Sequence, residues 1–407
     1  MAVRPEGVLL GAGFGGVQLS LTGLGFLFVV ILVTVAAFVS TVVLWPRLSV
    51  SRPWTIVRRA LMMLGVNALV VLTAAVALND QYAFFADWTD LHGAVFGAQG
   101  GSTAVASGNA AQAANASLPP AAGGATPAVL PSLPPGATRH DRVLRYTVTG
   151  AVSGLKGAVL VSLPIGYSDP SNAKRRYPVL ETFNGYPGGP SQWIDSMGLG
   201  STVDRTVARH AVSPAVIISP LIEFPAGVDT ECVNGAGTNP QVETWVTQDV
   251  PDWALRAFRV RPDRSSWATI GLSAGAYCAG MAAMLHPRRY AAAVVLGGYF
   301  APEFSRNYRP FSAGNAEGGR YDLLALIERQ PPPVAVWMET SHSDPTSYPS
   351  SAKLLAIARP PLSVFALVFT HAGHRFGIWR PLLPQVMAWL GANLRGFSPQ
   401  APLGHAH

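Results

Sequence analysis

Residues 271–275 read Gly-Leu-Ser-Ala-Gly, a G-x-S-x-G pattern between two different kinds of sequence. The apolar residues 267–270 before it favour a short buried strand, and the small residues 274–285 after it favour a helix. A sharp strand-to-helix turn raises a serine hydroxyl above the sheet, and flanking glycines leave room for that turn. The pattern therefore predicts a nucleophile at Ser273. Because a chain with 41 glycines can contain such a pentapeptide by chance, the prediction also needs a base, an acid and an oxyanion hole.

Short apolar runs alternate with amphipathic or small-residue runs after residue 142. The predicted strands lie at 142–149, 157–163, 177–183, 215–219, 267–270, 292–296, 334–339 and 362–369. The predicted helices lie at 242–258, 274–285, 321–329, 347–358 and 381–394. Repeated strand-then-helix units favour a mostly parallel sheet covered on both faces. We therefore predict an α/β fold of the α/β-hydrolase type at residues 139–397, with its first two strands antiparallel.

Candidate partners for Ser273 follow the later strands, in the order serine, acid, histidine that α/β-hydrolases use. Two histidines, His371 and His374, come after the last predicted strand, and His374 is favoured because the preceding glycine suits a loop that presents an imidazole. Two candidate acids, Asp344 and Glu339, lie in or at the start of the loop after the preceding strand. Asp344 is favoured because it lies within the loop, whereas Glu339 lies at the strand end. The acid would hold the histidine tautomer and stabilise the imidazolium.

His371 and His374 also form an H-x-x-H pair, which suits two ligands of a zinc ion. No cysteine or carboxylate cluster accompanies this pair, so catalysis is favoured over a metal site. No cofactor is expected.

An oxyanion hole requires two backbone amides. One is predicted at Ala274, directly after the serine. The other is predicted in the turn at 184–189, Asn-Gly-Tyr-Pro-Gly-Gly. Pro187 has no N–H, so Tyr186 is the favoured donor and Gly185 is the alternative.

Charged residues are 13% of the 407 residues and hydrophobic residues are 49%. Two uncharged apolar runs, at about 21–45 and 60–78, can each cross a roughly 30 Å hydrocarbon layer at about 1.5 Å per residue. The first run is longer than the apolar part of a cleaved signal peptide. We therefore predict a transmembrane region at 1–96 with two helices. The Gly-rich apolar residues 8–20 are either a further short span or an interfacial segment.

Arginines indicate the orientation of this region. Four arginines and no acidic residue lie between the two runs, whereas three aspartates follow the second run with no Lys or Arg before Arg139. The excess of positive charge predicts a cytoplasmic connecting loop. The chain is therefore predicted to be a multi-pass protein of the cell membrane with an extracytoplasmic catalytic domain. Its net charge of +7 is scattered along the chain, so nucleic acid is not an expected partner.

Residues 97–138 contain no charged residue and consist mainly of Ala, Gly, Ser and Pro. Such a composition buries little apolar surface and predicts a disordered tether. The tether would keep the domain at 139–397 near the membrane without setting its orientation.

The two cysteines, Cys232 and Cys278, are too few for a disulfide scaffold or a zinc finger. Outside the cytoplasm, two thiols pair when geometry allows, so a disulfide between them is predicted. It would hold the polar loop around Cys232 beside the helix that follows Ser273. The alternative is two unpaired cysteines.

Three motifs together resemble the Putative esterase family of α/β-hydrolases. They are NGYPGGPSQW at 184–193, GLSAGAY at 271–277 and HRFGIW at 374–379. The family includes S-formylglutathione hydrolases, feruloyl esterases and actinobacterial mycolyltransferases. The resemblance covers residues 143–394. The N-terminal helical region departs from the secreted members and resembles membrane-tethered esterases of actinobacteria.

The resemblance implies roles for particular residues. Ser273 would be the nucleophile and His374 the base, with Ala274 and Tyr186 as oxyanion donors. The acid stays open between Asp344 and Glu339, because the family uses either type.

The sequence thus predicts a membrane-anchored serine esterase at the cell envelope, which cleaves carboxylic esters through an acyl-enzyme. Its substrate is expected to be lipid-like or attached to the envelope. Two alternatives stay open: an acyltransferase, in which a sugar or lipid hydroxyl replaces water, and a catalytically silent scaffold on the same fold.

Overall fold

The chain divides into two compact units, Met1–Trp88 and Thr89–His407. The computed structural model describes residues 20–48, 53–97, 100–121, 136–140, 142–305, 307–311 and 316–399. Residues 8–19 belong to the segment predicted to be either a further short span or an interfacial segment, and they lie outside the described residues.

Two long helices dominate the first unit. Helix α1 spans Leu24–Leu44 and helix α2 spans Pro53–Tyr82, and the Thr34 and Thr73 hydroxyls that join them are 2.8 Å apart. Most of their large apolar side chains are exposed, and both helices are long and apolar enough to cross a membrane. α2 extends beyond the predicted 60–78 at both ends, because hydrophobicity marks only the part of a helix that suits lipid.

A ten-stranded sheet forms the centre of the second unit. Its strands are β1 (Ser102–Ser107), β2 (Ala137–His140), β3 (Val143–Thr149), β4 (Lys156–Ser162), β5 (Val179–Phe183), β6 (Val216–Pro220), β7 (Trp267–Leu272), β8 (Ala292–Leu296), β9 (Ala335–Ser341) and β10 (Ser363–Phe369). Their order is β1-β10-β9-β8-β7-β5-β6-β4-β3-β2. The six strands from β10 to β6 are parallel, and β1, β2, β3 and β4 are antiparallel to their neighbours. The predicted α/β fold with a mostly parallel sheet is confirmed.

Helices cover both faces of this sheet. The helices that follow α2 along the chain are α3 (Trp88–Phe96), α4 (Ala110–Ala114), α5 (Gln192–Asp195), α6 (Leu199–Ala208), α7 (Val242–Thr244), α8 (Val250–Ala257), α9 (Ala274–Leu285), α10 (Ala316–Gly319), α11 (Leu323–Arg329), α12 (Tyr348–Ile357), α13 (Phe376–Trp379) and α14 (Leu383–Asn393). Two apolar cores result, with Trp245 and Tyr277 on one face and Trp193 and Trp337 on the other. The central strands are buried on both sides, which explains their continuous apolar runs.

Part of the segment predicted to be a disordered tether is structured. β1 pairs with β10 along its whole length, from Ser102 opposite Phe369 to Ser107 opposite Val364. The prediction is therefore wrong for residues 100–121 and, because β2 begins at Ala137, for residues 137–138, whereas residues 98–99 and 122–135 lie outside the described residues. The composition misled because β1 is an edge strand with exposed side chains, whose ladder consists of backbone hydrogen bonds that any non-proline residue can make.

Candidate active site

Ser273 lies at the turn between β7 and α9, with φ 56° and ψ −127°. Few non-glycine residues adopt a positive φ, and those that do cluster at functional sites. The glycines on either side are required by space. A Cβ on Gly271 would lie 1.8 Å from the carbonyl oxygen of Gly275, and a Cβ on Gly275 would lie 2.3 Å from the oxygen of Phe183. The G-x-S-x-G pattern therefore has a steric cause at both glycines.

His374 and Asp344 are in direct contact. Nδ1 of His374 lies 3.0 Å from Oδ2 of Asp344. The same oxygen accepts a hydrogen bond from the Ser347 hydroxyl at 2.7 Å, and Oδ1 of Asp344 accepts one from the Thr346 amide at 2.9 Å. Burial alone would raise the pKa of Asp344, but these hydrogen bonds and the charge of His374 outweigh burial and lower that pKa. The carboxylate is thus ionised at neutral pH, where it can orient the imidazole.

His374 and Ser273 both adjoin the end of β8. The Ser273 amide donates to the Leu296 carbonyl at 2.9 Å, and the His374 ring lies 3.1 Å from the position of a Cβ added to Gly297. Nε2 of His374 is buried and has no hydrogen-bond partner among the residues that the structure describes. The Ser273 hydroxyl does not bond to it, and such catalytic bonds often tighten only when substrate binds.

Glu339, the alternative acid, contacts other groups. Its Oε2 accepts hydrogen bonds from the Trp379 indole at 2.9 Å and the Gly297 amide at 3.1 Å. Burial, with the nearby charge of Asp344, raises the pKa of Glu339 to about 8. The geometry therefore favours Asp344 as the partner of His374, and Glu339 supports the residues around the imidazole.

The other histidine, His371, lies near a hydroxyl group. Its Nδ1 is 3.4 Å from the Ser343 hydroxyl. Over the described part of the chain, no group of three or more His, Cys, Asp or Glu side chains is arranged to hold a metal ion.

The turn at 184–189 lies beside the serine, since a Cβ on Gly185 would be 3.3 Å from that of Ser273. The Gly185 amide already donates to Gln192 at 3.0 Å, and this bond occupies the alternative oxyanion donor. No backbone hydrogen bond uses the amides of Tyr186 and Ala274 within the described ranges. The assignment of these two amides as oxyanion donors stays a prediction.

Two side chains that the sequence analysis missed support this turn. The Gln192 side chain accepts a hydrogen bond from the Gly185 amide. The Glu223 carboxylate accepts hydrogen bonds from the amides of Gly188 at 2.9 Å and Gly227 at 3.0 Å. Gln192 belongs to the quoted motif at 184–193 and could have been found there. Glu223 lies in a separate loop with no recognisable pattern, so only the structure shows its contacts.

A disulfide joins Cys232 and Cys278, whose Cα atoms are 5.5 Å apart. Cys278 lies on α9, and both cysteines are buried in the same apolar core. The structure thus attaches the loop around Cys232 to the helix that begins after Ser273.

Comparison with known proteins identifies the family to which this chain belongs. Residues 154–390 match the family described as Putative esterase. An uncharacterized protein of Corynebacterium glutamicum is 27% identical over 250 residues, which are 56% of this chain and 55% of the relative. The chain therefore spans about half the length of that curated relative.

Two solved structures have a similar fold. One is a ferulic acid esterase, with 18% identity, a TM-score of 0.51, and coverage of 63% of this chain and 98% of the other. The second is an S-formylglutathione hydrolase from Agrobacterium tumefaciens, with 15% identity, a TM-score of 0.53, and coverage of 62% and 95%. At these identities the similarity concerns the fold.

Proposed function

The chain belongs to the Putative esterase family, and from this membership we propose that it is a membrane-anchored serine esterase in which Ser273, His374 and Asp344 form the catalytic triad. The observation that carries the proposal is the contact between Nδ1 of His374 and Asp344, which leaves the other ring nitrogen, the buried Nε2, without a hydrogen-bond partner among the described residues. A serine hydroxyl is a weak nucleophile, and such a histidine activates it by accepting its proton.

The proposed reaction has two halves. The Ser273 oxygen attacks the ester carbonyl while Nε2 of His374 takes the hydroxyl proton. The amides of Ala274 and Tyr186 hold the negatively charged oxygen, and a donor of this kind is worth about 3 kcal/mol of barrier. His374 then protonates the leaving alcohol, and a water molecule, deprotonated by the same imidazole, releases the acid from the acyl-enzyme.

Helices α1 and α2 support the proposed anchor, and the four arginines between the two apolar runs support a cytoplasmic connection with the catalytic unit outside. A lipid-like or envelope-attached ester is the substrate class that suits this placement. A C-terminal reporter that is active only after export tests the orientation. Activity of a reporter that works only in the cytoplasm would contradict it.

A fluorophosphonate probe and a soluble short-chain ester test the chemistry on the full chain in detergent. We expect Ser273→Ala to abolish labelling and His374→Ala to lower kcat at least about 10³-fold. The matched control is His371→Ala, the neighbouring histidine, which should change kcat by less than about threefold. If folded wild-type protein is neither labelled nor active, the chain is a scaffold on this fold. Release of an acylated alcohol instead of free acid would identify an acyltransferase.

A further inference from the structure

The connection between the proposed membrane helices and the catalytic unit is short. α2 ends at Tyr82 and α3 begins at Trp88, so only residues 83–87 lie between them. Fully extended, this connection reaches about 20 Å. No long tether therefore precedes the catalytic unit, which begins at Thr89.

Helix α3 is joined to the loop that carries the catalytic histidine. Asp90, in the first turn of α3, accepts two hydrogen bonds from the guanidinium of Arg375, at 2.6 and 2.7 Å. The two side chains are 3% and 17% exposed, and Arg375 directly follows His374. A buried bidentate pair of this kind has a defined geometry, so it fixes the position of α3 relative to the histidine loop.

These two facts limit how far the active site can lie from the membrane. Six extended residue steps and two helical ones place Asp90 within about 24 Å of Tyr82. Asp90 in turn binds Arg375, the residue that directly follows His374. The covalent connection therefore limits how far Asp90 can lie from the end of α2.

The far end of α3 exposes large apolar side chains. Val95 and Phe96 are 65% and 72% exposed, although α3 is only nine residues long. The rings of Phe96 and His92 lie 4.6 Å apart, as an aromatic pair on the surface. Exposed aromatic and aliphatic residues close to a membrane span are typical of segments that lie in the headgroup region.

We propose that α3 lies on the outer lipid surface, with Val95 and Phe96 among the headgroups, and that the active site takes ester lipids from the same membrane that α1 and α2 cross. This inference rests on the proposed function and selects one substrate class within it. A lipid that diffuses in the same leaflet meets the site at a high effective concentration, whereas a soluble ester does not have this advantage.

The test uses the full chain in phosphatidylcholine–phosphatidylglycerol vesicles. A fluorogenic palmitoyl ester is placed either in the same vesicles or in separate ones, and a fluorogenic butyryl ester serves as the soluble probe. We expect wild-type protein to hydrolyse the palmitoyl ester at least about tenfold faster in its own vesicles. Phe96→Asp should lower that rate about tenfold, because a carboxylate is excluded from the headgroup–acyl boundary, with less than about a twofold change on the butyryl ester.

The matched control is Ile165→Asp. Ile165 is 65% exposed and follows β4, whose antiparallel direction places it at the sheet edge opposite Ser273. It should leave both rates within about twofold of wild type.

The inference would be overturned if wild-type protein hydrolysed the palmitoyl ester at equal rates in its own and in separate vesicles. It would also be overturned if Phe96→Asp lowered the rates on the palmitoyl and butyryl esters equally, or lowered neither. Failure of the proposed function looks different, since wild type and Ser273→Ala would then hydrolyse the butyryl ester equally.

Discussion

Trp379 donates its indole N–H to Oε2 of Glu339 at 2.9 Å, and the same indole ring stands edge-on to the imidazole of His374 with ring centroids 4.8 Å apart. Glu339, within β9, and Asp344, in the loop after it, thus have different partners. Asp344 binds the imidazole itself, and Glu339 holds the tryptophan that packs against it.

This division predicts different results for the two amide variants. Asp344→Asn should lower kcat about 10⁴-fold, because an amide can donate to Nδ1 and stabilise the wrong tautomer. Glu339→Gln should lower kcat less than about tenfold, because a pKa near 8 keeps most of the glutamate protonated at pH 7 and the amide oxygen accepts the same hydrogen bonds. Steady-state kinetics on a soluble ester measures both. A larger loss from Glu339→Gln would reverse the assignment of the acid.

Gly297 provides a steric test of the imidazole position. A Cβ there would lie 2.7 Å from the Trp379 ring and 3.1 Å from the His374 ring, and the φ of Gly297 is +57°. We expect Gly297→Ala to lower kcat about 10²-fold, because the imidazole must shift by a fraction of an ångström.

The control for this variant is Gly237→Ala. Gly237 has a φ of +64° and nothing within 4 Å of an added Cβ, so it incurs only the backbone strain of about 1–2 kcal/mol. It should lower the thermal midpoint without lowering kcat. If the two variants lose kcat equally, contact with the imidazole is not the cause.

Glu181 predicts how stability depends on pH. Its carboxylate is fully buried in β5 and accepts a hydrogen bond from Tyr290 at 2.7 Å. Burial raises its pKa to about 8 and outweighs the hydrogen bond from Tyr290 and the charge of Arg289. Since the folded pKa exceeds the unfolded one, the stabilising effect of protonated Glu181 is complete below about pH 4.5 and is lost as the pH rises through about 8.

Glu181→Gln does not titrate, so it should escape this loss. We therefore expect the thermal midpoint of Glu181→Gln, measured relative to that of wild type, to be higher at about pH 8.5 than at about pH 5.5. Glu328→Gln, on the exposed surface, is the matched control and should show no such gain. A difference from wild type that is the same at both pH values would contradict the assignment.

The disulfide predicts a response to reduction. Cys232 and Cys278 are 46 residues apart, and closing a loop of that size stabilises the folded state by about 4 kcal/mol in the chain-entropy description. Denatured protein should show no free thiol before reduction and two after it. Reduction should also lower Tm by several degrees in wild type but not in a Cys232→Ala/Cys278→Ala variant. Two free thiols without reduction would exclude the bridge.

The features predicted from sequence are those whose cause is local. The serine turn was found because Gly271 and Gly275 must avoid backbone atoms within a few residues of Ser273 or in the adjoining strand end. The α/β class was found because buried parallel strands need continuous apolar runs. α6 was not predicted, although it packs one face against α14 and leaves the other in water. Its apolar residues, such as Leu199 and Val203, are few and separated by polar ones.

By itself, the sequence determined the strand-helix alternation, the strained serine turn and two helices apolar enough for a membrane, because sterics and hydrophobicity act over a few neighbouring residues. The tertiary structure decided which acid contacts His374, that Glu223 supports the turn at 184–189, and that β1 extends the sheet. It also brought Asp90 to Arg375 across 285 residues of chain. Such contacts depend on strand register and on the packing of distant segments, and no local pattern of residues encodes the distance between them.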